Sequence, residues 1–171
     1  MNLRIMSAQQ VERTMIRLAY EVVERNRGAS NITIFGILRA GARLARFLAA
    51  QIGEIEQLKI PLYDLDTTAF RDDTDRTAPD QDYGSDDDID VTDRDVILVD
   101  DVLFTGRTVR AALDAVVRYG RPRSVQLMVL IDRGHREYPI QPDYVGKTIP
   151  TRHKETVVVD TDPDITVSVV E

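Results

Sequence analysis

A chain of 171 residues, 43% hydrophobic and 30% charged, has the composition of one globular domain, and its lack of cysteine excludes disulfide scaffolds and thiolate metal centres. Two histidines, His135 and His153, are too few for a histidine-built metal site, and no apolar run reaches the roughly 20 residues of a membrane helix. A net charge of −7 argues against indiscriminate nucleic-acid binding while leaving room for a local basic patch.

The start of the chain, Met1 to Ser7, has no signal-peptide shape, so a soluble, cytoplasmic protein is expected. Ser7 is placed to cap a helix in which Val11, Met15, Leu18 and Val22 recur at helical spacing, with Gly28 near its end. Residues 32–38 form a short β-branched run, hence a strand, and residues 42–52 predict a second helix. Residues 59–70 read as extended. Residues 71–88 are polar and dense in Asp, with Pro79 and Gly84, which predicts a long loop of the kind that serves as a lid. The continuous apolar run 96–99 is expected of a central parallel strand buried on both faces. Residues 108–119 carry Val109, Ala112, Leu113 and Val116 at helical spacing and are ended by Gly120 and Pro122. Residues 125–131 predict another buried strand, and 155–159 with 165–170 a closing strand pair. Strands alternating with helices make this an α/β chain with a mainly parallel sheet, read as a single domain over residues 1–171.

The most informative stretch is the passage from strand 96–99 into Asp100-Asp101-Val102-Leu103-Phe104-Thr105-Gly106-Arg107-Thr108. A buried strand leads into two acids, a small polar turn and a helix. The turn aims backbone N–H groups, hydroxyls and a positive helix end at one spot, which is a phosphate cradle. Successive strand side chains face opposite ways, so Asp100 and Asp101 straddle a sugar better than they form a dyad, and both suit an ion such as Mg²⁺. The bland alternative is a helix cap with a stray acid. A second strand-to-helix turn, Gly36-Ile37-Leu38-Arg39-Ala40-Gly41, puts glycines around a basic residue at a helix start; it reads as an anion loop or as a plain tight turn.

The first run resembles the phosphoribosyl pyrophosphate (PRPP) signature of type I phosphoribosyltransferases. Together with Asp132-Arg133-Gly134-His135-Arg136-Glu137, Asp143-Tyr144-Val145-Gly146-Lys147 and Thr68-Ala69-Phe70-Arg71-Asp72-Asp73, it resembles the PyrR family, bacterial pyrimidine-operon regulators with uracil phosphoribosyltransferase activity. The likeness spans residues 11–159. It implies a type I phosphoribosyltransferase fold, a central mainly parallel sheet flanked by helices with a flexible loop over the active site. Asp100 and Asp101 would hold the ribose hydroxyls, residues 102–108 would shape the PRPP loop, and Thr105, Gly106, Arg107 and Thr108 would hold the 5′-phosphate. Leu38, Arg39, Ala40 and Gly41 would form the pyrophosphate loop, although the family commonly has Thr-Arg-Gly where this chain has Arg39-Ala40-Gly41. Ile131, Asp132 and Arg133 would line the base pocket, unless Asp132 and Arg133 pair with each other or cap a turn. Arg71 would be a lid cation meeting the pyrophosphate, or else a solvated arginine paired with Asp72 or Asp73. Mg²⁺ would enter with PRPP, with no direct protein ligand.

The same resemblance implies transfer of ribose 5-phosphate to uracil, giving UMP. It also implies binding of an RNA hairpin of the pyrimidine operon, promoted by UMP or UTP, with control by transcription attenuation. Arg17, Tyr20, Arg25, Arg136 and Lys147 would face the RNA. Tyr20 stands where the family commonly has His, and Gln141 where it commonly has Arg. The amphipathic first helix, with Phe35, Leu44, Phe47 and Leu48 on neighbouring elements, and the family's habit together predict a homodimer or homotetramer. The alternatives are a salvage enzyme without RNA regulation, or a purine or orotate transferase, which would keep residues 100–108 but not 132–137. A response regulator would need a lysine after a buried strand, and Lys59, Lys147 and Lys154 are not so placed.

Overall fold

The computed structural model describes residues 1–72 and 88–171, so residues 73–87 of the loop expected at 71–88 lie outside the described residues. The chain opens with β1 (Asn2–Met6) and α1 (Ala8–Asn26). The start of α1 follows from its sequence. Ser7 Oγ accepts the N–H of Gln10 at 3.3 Å while Gln10 Oε1 accepts the N–H of Ser7 at 2.8 Å, a reciprocal cap of a kind that stabilises by about 1 kcal/mol. The buried face of α1 is Val11, Met15, Leu18, Ala19 and Val22.

After α1 come β2 (Ile32–Ile37), α2 (Ala40–Glu56), β3 (Leu62–Leu65) and a 3-10 turn at Thr68–Phe70. Then follow β4 (Asp95–Leu103), α3 (Arg107–Val116) with a 3-10 turn at Val117–Tyr119, and β5 (Ser124–Asp132). The last strands are β6 (Tyr144–Thr148), β7 (Thr156–Asp160) and β8 (Thr166–Val170). Five strands form a wholly parallel sheet in the order β3-β2-β4-β5-β6, and β1-β8-β7 form a separate antiparallel sheet. The order reverses between β2 and β4, the kind of crevice where open α/β sheets bind ligands at the strands' carboxyl ends.

Both faces of the parallel sheet are covered. Ile34, Ile97 and Val99 pack with Leu18, Leu44 and Leu48 of α1 and α2. Phe35, Val96 and Leu98 pack with Val109, Ala112 and Val116 of α3. Each such fully buried aliphatic side chain stabilises by roughly 1.5–3 kcal/mol.

The sequence expectations hold for every helix and for the central strands, with differences that have physical reasons. The strand expected at 96–99 runs on to Leu103 because β5 pairs with it through Val102 and Leu103. α2 is longer at both ends than 42–52, beginning two residues earlier at Ala40. β1 and β6 are not among the expected strands; they form because β8 and β5 offer them a ladder. Phe35, Leu44 and Leu48 are completely buried, so of the four residues taken to support assembly only Phe47 remains partly exposed. No helix among the described residues is long and apolar enough to cross a membrane.

Candidate active site

The register of the sheet brings the two glycine-bordered turns together. Gly36 of β2 lies opposite Val99 of β4, so the residues after each strand end emerge side by side. The approach is close. A Cβ on Gly41 would lie 2.4 Å from the Val99 carbonyl oxygen and 3.1 Å from Asp100 Cα, and one on Gly36 would lie 2.5 Å from Ala42 Cα. Only glycine lets the first turn of α2 press against the strand that carries Asp100.

The residue preceding α2 is Arg39, which is exposed, and the one preceding α3 is Gly106, whose φ of 92° favours glycine. Neither helix start has a side-chain cap. Two positive helix ends without an N-cap side chain therefore flank the carboxyl ends of β2 and β4, a setting suited to an anion, with the Arg107 N–H turned to Thr105 Oγ1 at 3.3 Å. The Leu38–Arg39 peptide is cis.

Between them lie the two acids. By strand alternation Asp100 shares the α3 face with Val96 and Leu98, and Asp101 the α2 face with Ile97 and Val99. Asp100 is 7% exposed. Its Oδ1 accepts the Asp101 N–H at 2.9 Å, and Asp101 Oδ1 accepts the Val102 N–H at 2.8 Å. Burial first, and the neighbouring Asp101 charge second, push the Asp100 carboxyl well above the usual carboxylate range; the positive charge of Arg71 acts the other way. A carboxyl so destabilised as an anion gains from hydroxyl donors or a cation in front of it.

Arg71 is drawn to the same place: its Nη1 donates to Thr108 Oγ1 at 3.1 Å. The root of the loop is fastened around it. Arg110 Nη1 donates to the Phe70 carbonyl at 3.1 Å, while Asp72 Oδ2 accepts from Tyr138 Oη at 2.6 Å and from Arg107 Nη1 at 2.9 Å. The Tyr138 hydrogen bond and then the Arg107 contacts hold the Asp72 carboxyl below its ordinary range. The Arg107 guanidinium, which also meets Glu137 at 3.3 Å, thus faces the loop root. Val102 and Leu103 remain in β4 and shape the turn from behind, Leu103 being buried.

Residues 133–138 lash this turn in place. The Leu103 carbonyl accepts the Arg133 N–H, the Phe104 carbonyl accepts Arg136 Nη1 at 3.0 Å, and the Thr105 carbonyl accepts the N–H groups of Glu137 and Tyr138. Arg136 also donates to Asp132 Oδ2 at 2.7 Å and to the Ile140 carbonyl at 2.8 Å. Its guanidinium is therefore spent inside the fold, unlike the exposed cation expected for RNA. Ile131 is completely buried in the core on the α1 face. Arg133, 5% exposed, bonds Thr151 Oγ1 at 3.0 Å and the Arg152 carbonyl at 3.2 Å, and burial lowers its pKa. Asp132 bonds the Gly134 N–H and Arg136, so Asp132 and Arg133 do not pair with each other.

The remaining basic candidates lie on one surface where α1 runs along β6. Arg17 Nη2 donates to the carbonyls of Val145 at 3.2 Å and Gly146 at 2.8 Å, and Arg25 Nη1 meets Asp143 Oδ1 at 2.9 Å. Asp143 Oδ2 accepts the Leu127 N–H at 2.8 Å, and Asn26 Nδ2 reaches the buried Tyr144 hydroxyl at 3.3 Å. The Asp143-Tyr144-Val145-Gly146-Lys147 motif is thus the staple between helix and sheet. Tyr20 is 57% exposed beside it, and Lys147 is exposed.

The chain matches the family model described as phosphoribosyl transferase domain over residues 2–165. Among curated proteins it is 48% identical over 158 residues to a protein named Bifunctional protein PyrR from Oceanobacillus iheyensis, covering 91% of this chain and 88% of that one. A protein of the same name from Limosilactobacillus fermentum is 48% identical over 160 residues, covering 91% and 88%, and one from Streptococcus pneumoniae 49% over 150 residues, covering 88% and 84%. Among solved structures it resembles a hypoxanthine phosphoribosyltransferase from Staphylococcus aureus, with a TM-score of 0.68 and 20% identity over 91% of this chain and 80% of that one. A hypoxanthine-guanine phosphoribosyltransferase from Bacillus anthracis gives a TM-score of 0.65 at 18% identity over the full length of both chains. At these identities the solved structures speak for the fold.

Proposed function

We propose, from the fact that this chain belongs to the PyrR family within the phosphoribosyltransferases, that it makes UMP and pyrophosphate from uracil and PRPP and also binds RNA to regulate pyrimidine genes. The observation that carries the enzymatic reading is the buried Asp100 between two uncapped helix starts. PRPP presents two anionic groups joined by a sugar with two hydroxyls, and this site offers two anion cradles joined by two carboxylates. The α2 start with Leu38, Arg39, Ala40 and Gly41 takes the pyrophosphate. The turn of Thr105, Gly106, Arg107 and Thr108 takes the 5′-phosphate, and Asp100 and Asp101 take the ribose hydroxyls.

In the reaction the C1′–oxygen bond to pyrophosphate breaks as uracil N1 bonds to C1′, and the N1 proton passes to the departing pyrophosphate or to solvent. Positive charge grows on the sugar as the bond to pyrophosphate stretches. The fixed carboxylates lie where they attract that charge, and the helix starts and Arg71 hold the departing anion. Among the described residues no cluster of three metal-ligating side chains exists. Mg²⁺ would enter with PRPP and not on a protein site of its own; the hard carboxylate oxygens of Asp100 and Asp101 suit such an ion, which would neutralise charge on the leaving group.

The regulatory function is assigned to the α1–β6 surface with Arg17, Tyr20, Arg25 and Lys147, where uridine nucleotides promote binding of the operon hairpin in transcription attenuation. Arg136 is assigned to the same function, although its guanidinium is bonded to Phe104, Asp132 and Ile140. We place the protein in the cytoplasm as one domain and as a homodimer or homotetramer. We assign assembly to a groove of about 560 Å³ beside α1, lined by Phe47 and Ile165 together with the charged Glu12, Arg43, Arg46 and Asp164. The enzymatic reading is tested by product formation from PRPP with uracil, hypoxanthine, adenine and orotate in turn. UMP from uracil alone is expected; preference for any other base would overturn it.

A further inference from the structure

Tyr138 joins two parts of the site that lie far apart in the chain. Its N–H donates to the Thr105 carbonyl at 3.0 Å, and a Cβ on Gly106 would lie 3.4 Å from Tyr138 Cβ, so its backbone is held against the phosphate turn. Its side chain reaches the loop root. Tyr138 Oη donates to Asp72 Oδ2 at 2.6 Å and accepts from Arg107 Nη1 at 3.2 Å, and the ring centroid lies 5.0 Å from the Arg107 guanidinium. The hydroxyl thus stands between a carboxylate and a guanidinium that also meet each other at 2.9 Å. The bond to Asp72 first, and desolvation second, raise the Tyr138 pKa, which keeps the hydroxyl a donor through the neutral range.

The residues on either side of Arg71 are both tethered. Before it, the Phe70 carbonyl accepts from Arg110 Nη1 at 3.1 Å, and the Arg118 guanidinium lies 5.5 Å from the Phe70 ring centroid. After it, Asp72 is held by Arg107 and Tyr138. Arg107, Arg110 and Arg118 belong to α3 and the turn that trails it; of these tethers only Tyr138 comes from another element. Arg71 Nη1 itself meets Thr108 Oγ1 at 3.1 Å, in the first turn of α3. An arginine gives up much side-chain freedom when it grips an anion, and fixing the backbone around it beforehand lowers the cost of binding.

We propose that Tyr138 is a positioning residue for the reaction: its hydroxyl holds Asp72 and so places Arg71 for the pyrophosphate of PRPP. The inference rests on the reading of Arg71 as the cation that meets pyrophosphate. Tyr138 acts through Asp72 and Arg71 and not on the substrate.

The test is calorimetric titration of the wild type, Tyr138→Phe, Arg71→Ala and the double variant with Mg²⁺-PRPP and with ribose 5-phosphate, which has no pyrophosphate. Tyr138→Phe removes only the hydroxyl and keeps the ring on Arg107. Loss of one hydrogen bond corresponds to roughly 2- to 12-fold in affinity. Tyr138→Phe should weaken PRPP by that factor and leave ribose 5-phosphate unchanged. Arg71→Ala should weaken PRPP as well, and adding Tyr138→Phe to it should cost nothing more, because a residue that acts through Arg71 has no effect once Arg71 is gone. Equal losses for the two ligands would mark Tyr138 as a support of the phosphate turn and overturn the proposal. No loss of PRPP in Tyr138→Phe, or losses that add in the double variant, would also overturn it while leaving the role of Arg71 intact. An Arg71→Ala that binds PRPP as the wild type does would overturn the reading of Arg71 itself, and the proposal with it.

Discussion

Asp100 is the residue at which binding and stability oppose each other. A carboxyl buried behind Asp101, raised well above its usual range, suits ligand hydroxyls but costs the empty protein. The sign follows from linkage: in the intermediate range the native state holds a proton that the unfolded chain has released. Stability from this group is therefore complete below the ordinary carboxylate pKa of 3.8 and is lost as pH rises through the raised native value. Asp100→Asn keeps an oxygen for the Asp101 N–H and removes the charge. Thermal melts of the unliganded pair should coincide near pH 4 and diverge toward neutrality with the variant higher, by about 2–4 °C for each 1 kcal/mol relieved. The same variant should lose PRPP binding by calorimetry. A variant that melts lower at neutral pH, or that binds PRPP unchanged, would refute this account of the residue. The motif singles out Asp100 and Asp101 as candidate ligand groups; their inequality is not legible in it, since it arises from burial on the α3 face.

Among the elements, α1 and β6 show how one motif can serve two ends. Arg17 and Arg25 spend part of their hydrogen-bonding capacity on Val145, Gly146 and Asp143, so the staple that aligns the helix also presents its cations. Lys147 and Tyr20 lie beside it and Gln141 is exposed. Phosphate contacts set both affinity and salt dependence, with a slope of roughly −0.7 to −0.9 per contact. Tyr20→His with Gln141→Arg should tighten binding of a labelled operon hairpin and steepen that slope, with UMP synthesis unchanged. Lys147→Ala should flatten the slope by about one contact. If neither change moves hairpin binding above that of an unrelated RNA of equal length, the α1–β6 assignment fails. Sequence reasoning found these cations but could not show that Arg136 is turned inward, because its partners Phe104, Asp132 and Ile140 are fixed only by the loop's return against β4.

For the whole molecule, the expected outcome is at least a dimer at micromolar concentration by light scattering. A strictly monomeric species would remove assembly from the account. The groove at Phe47 and Ile165, rimmed by Glu12, Arg43, Arg46 and Asp164, is the surface proposed for it, since Phe35, Leu44 and Leu48 belong to the core. The sequence by itself determined the α/β class, the helices, the central strands and the strand-to-helix turn before α3, because local periodicity and short-range turn chemistry specify such features. Only the tertiary structure decided that β1, β7 and β8 form their own sheet, that Gly41 presses against Val99, and that Phe104, His135 and His153 meet around one cavity. These depend on residues far apart in the chain being brought together by strand register and close packing, and no local pattern carries that information.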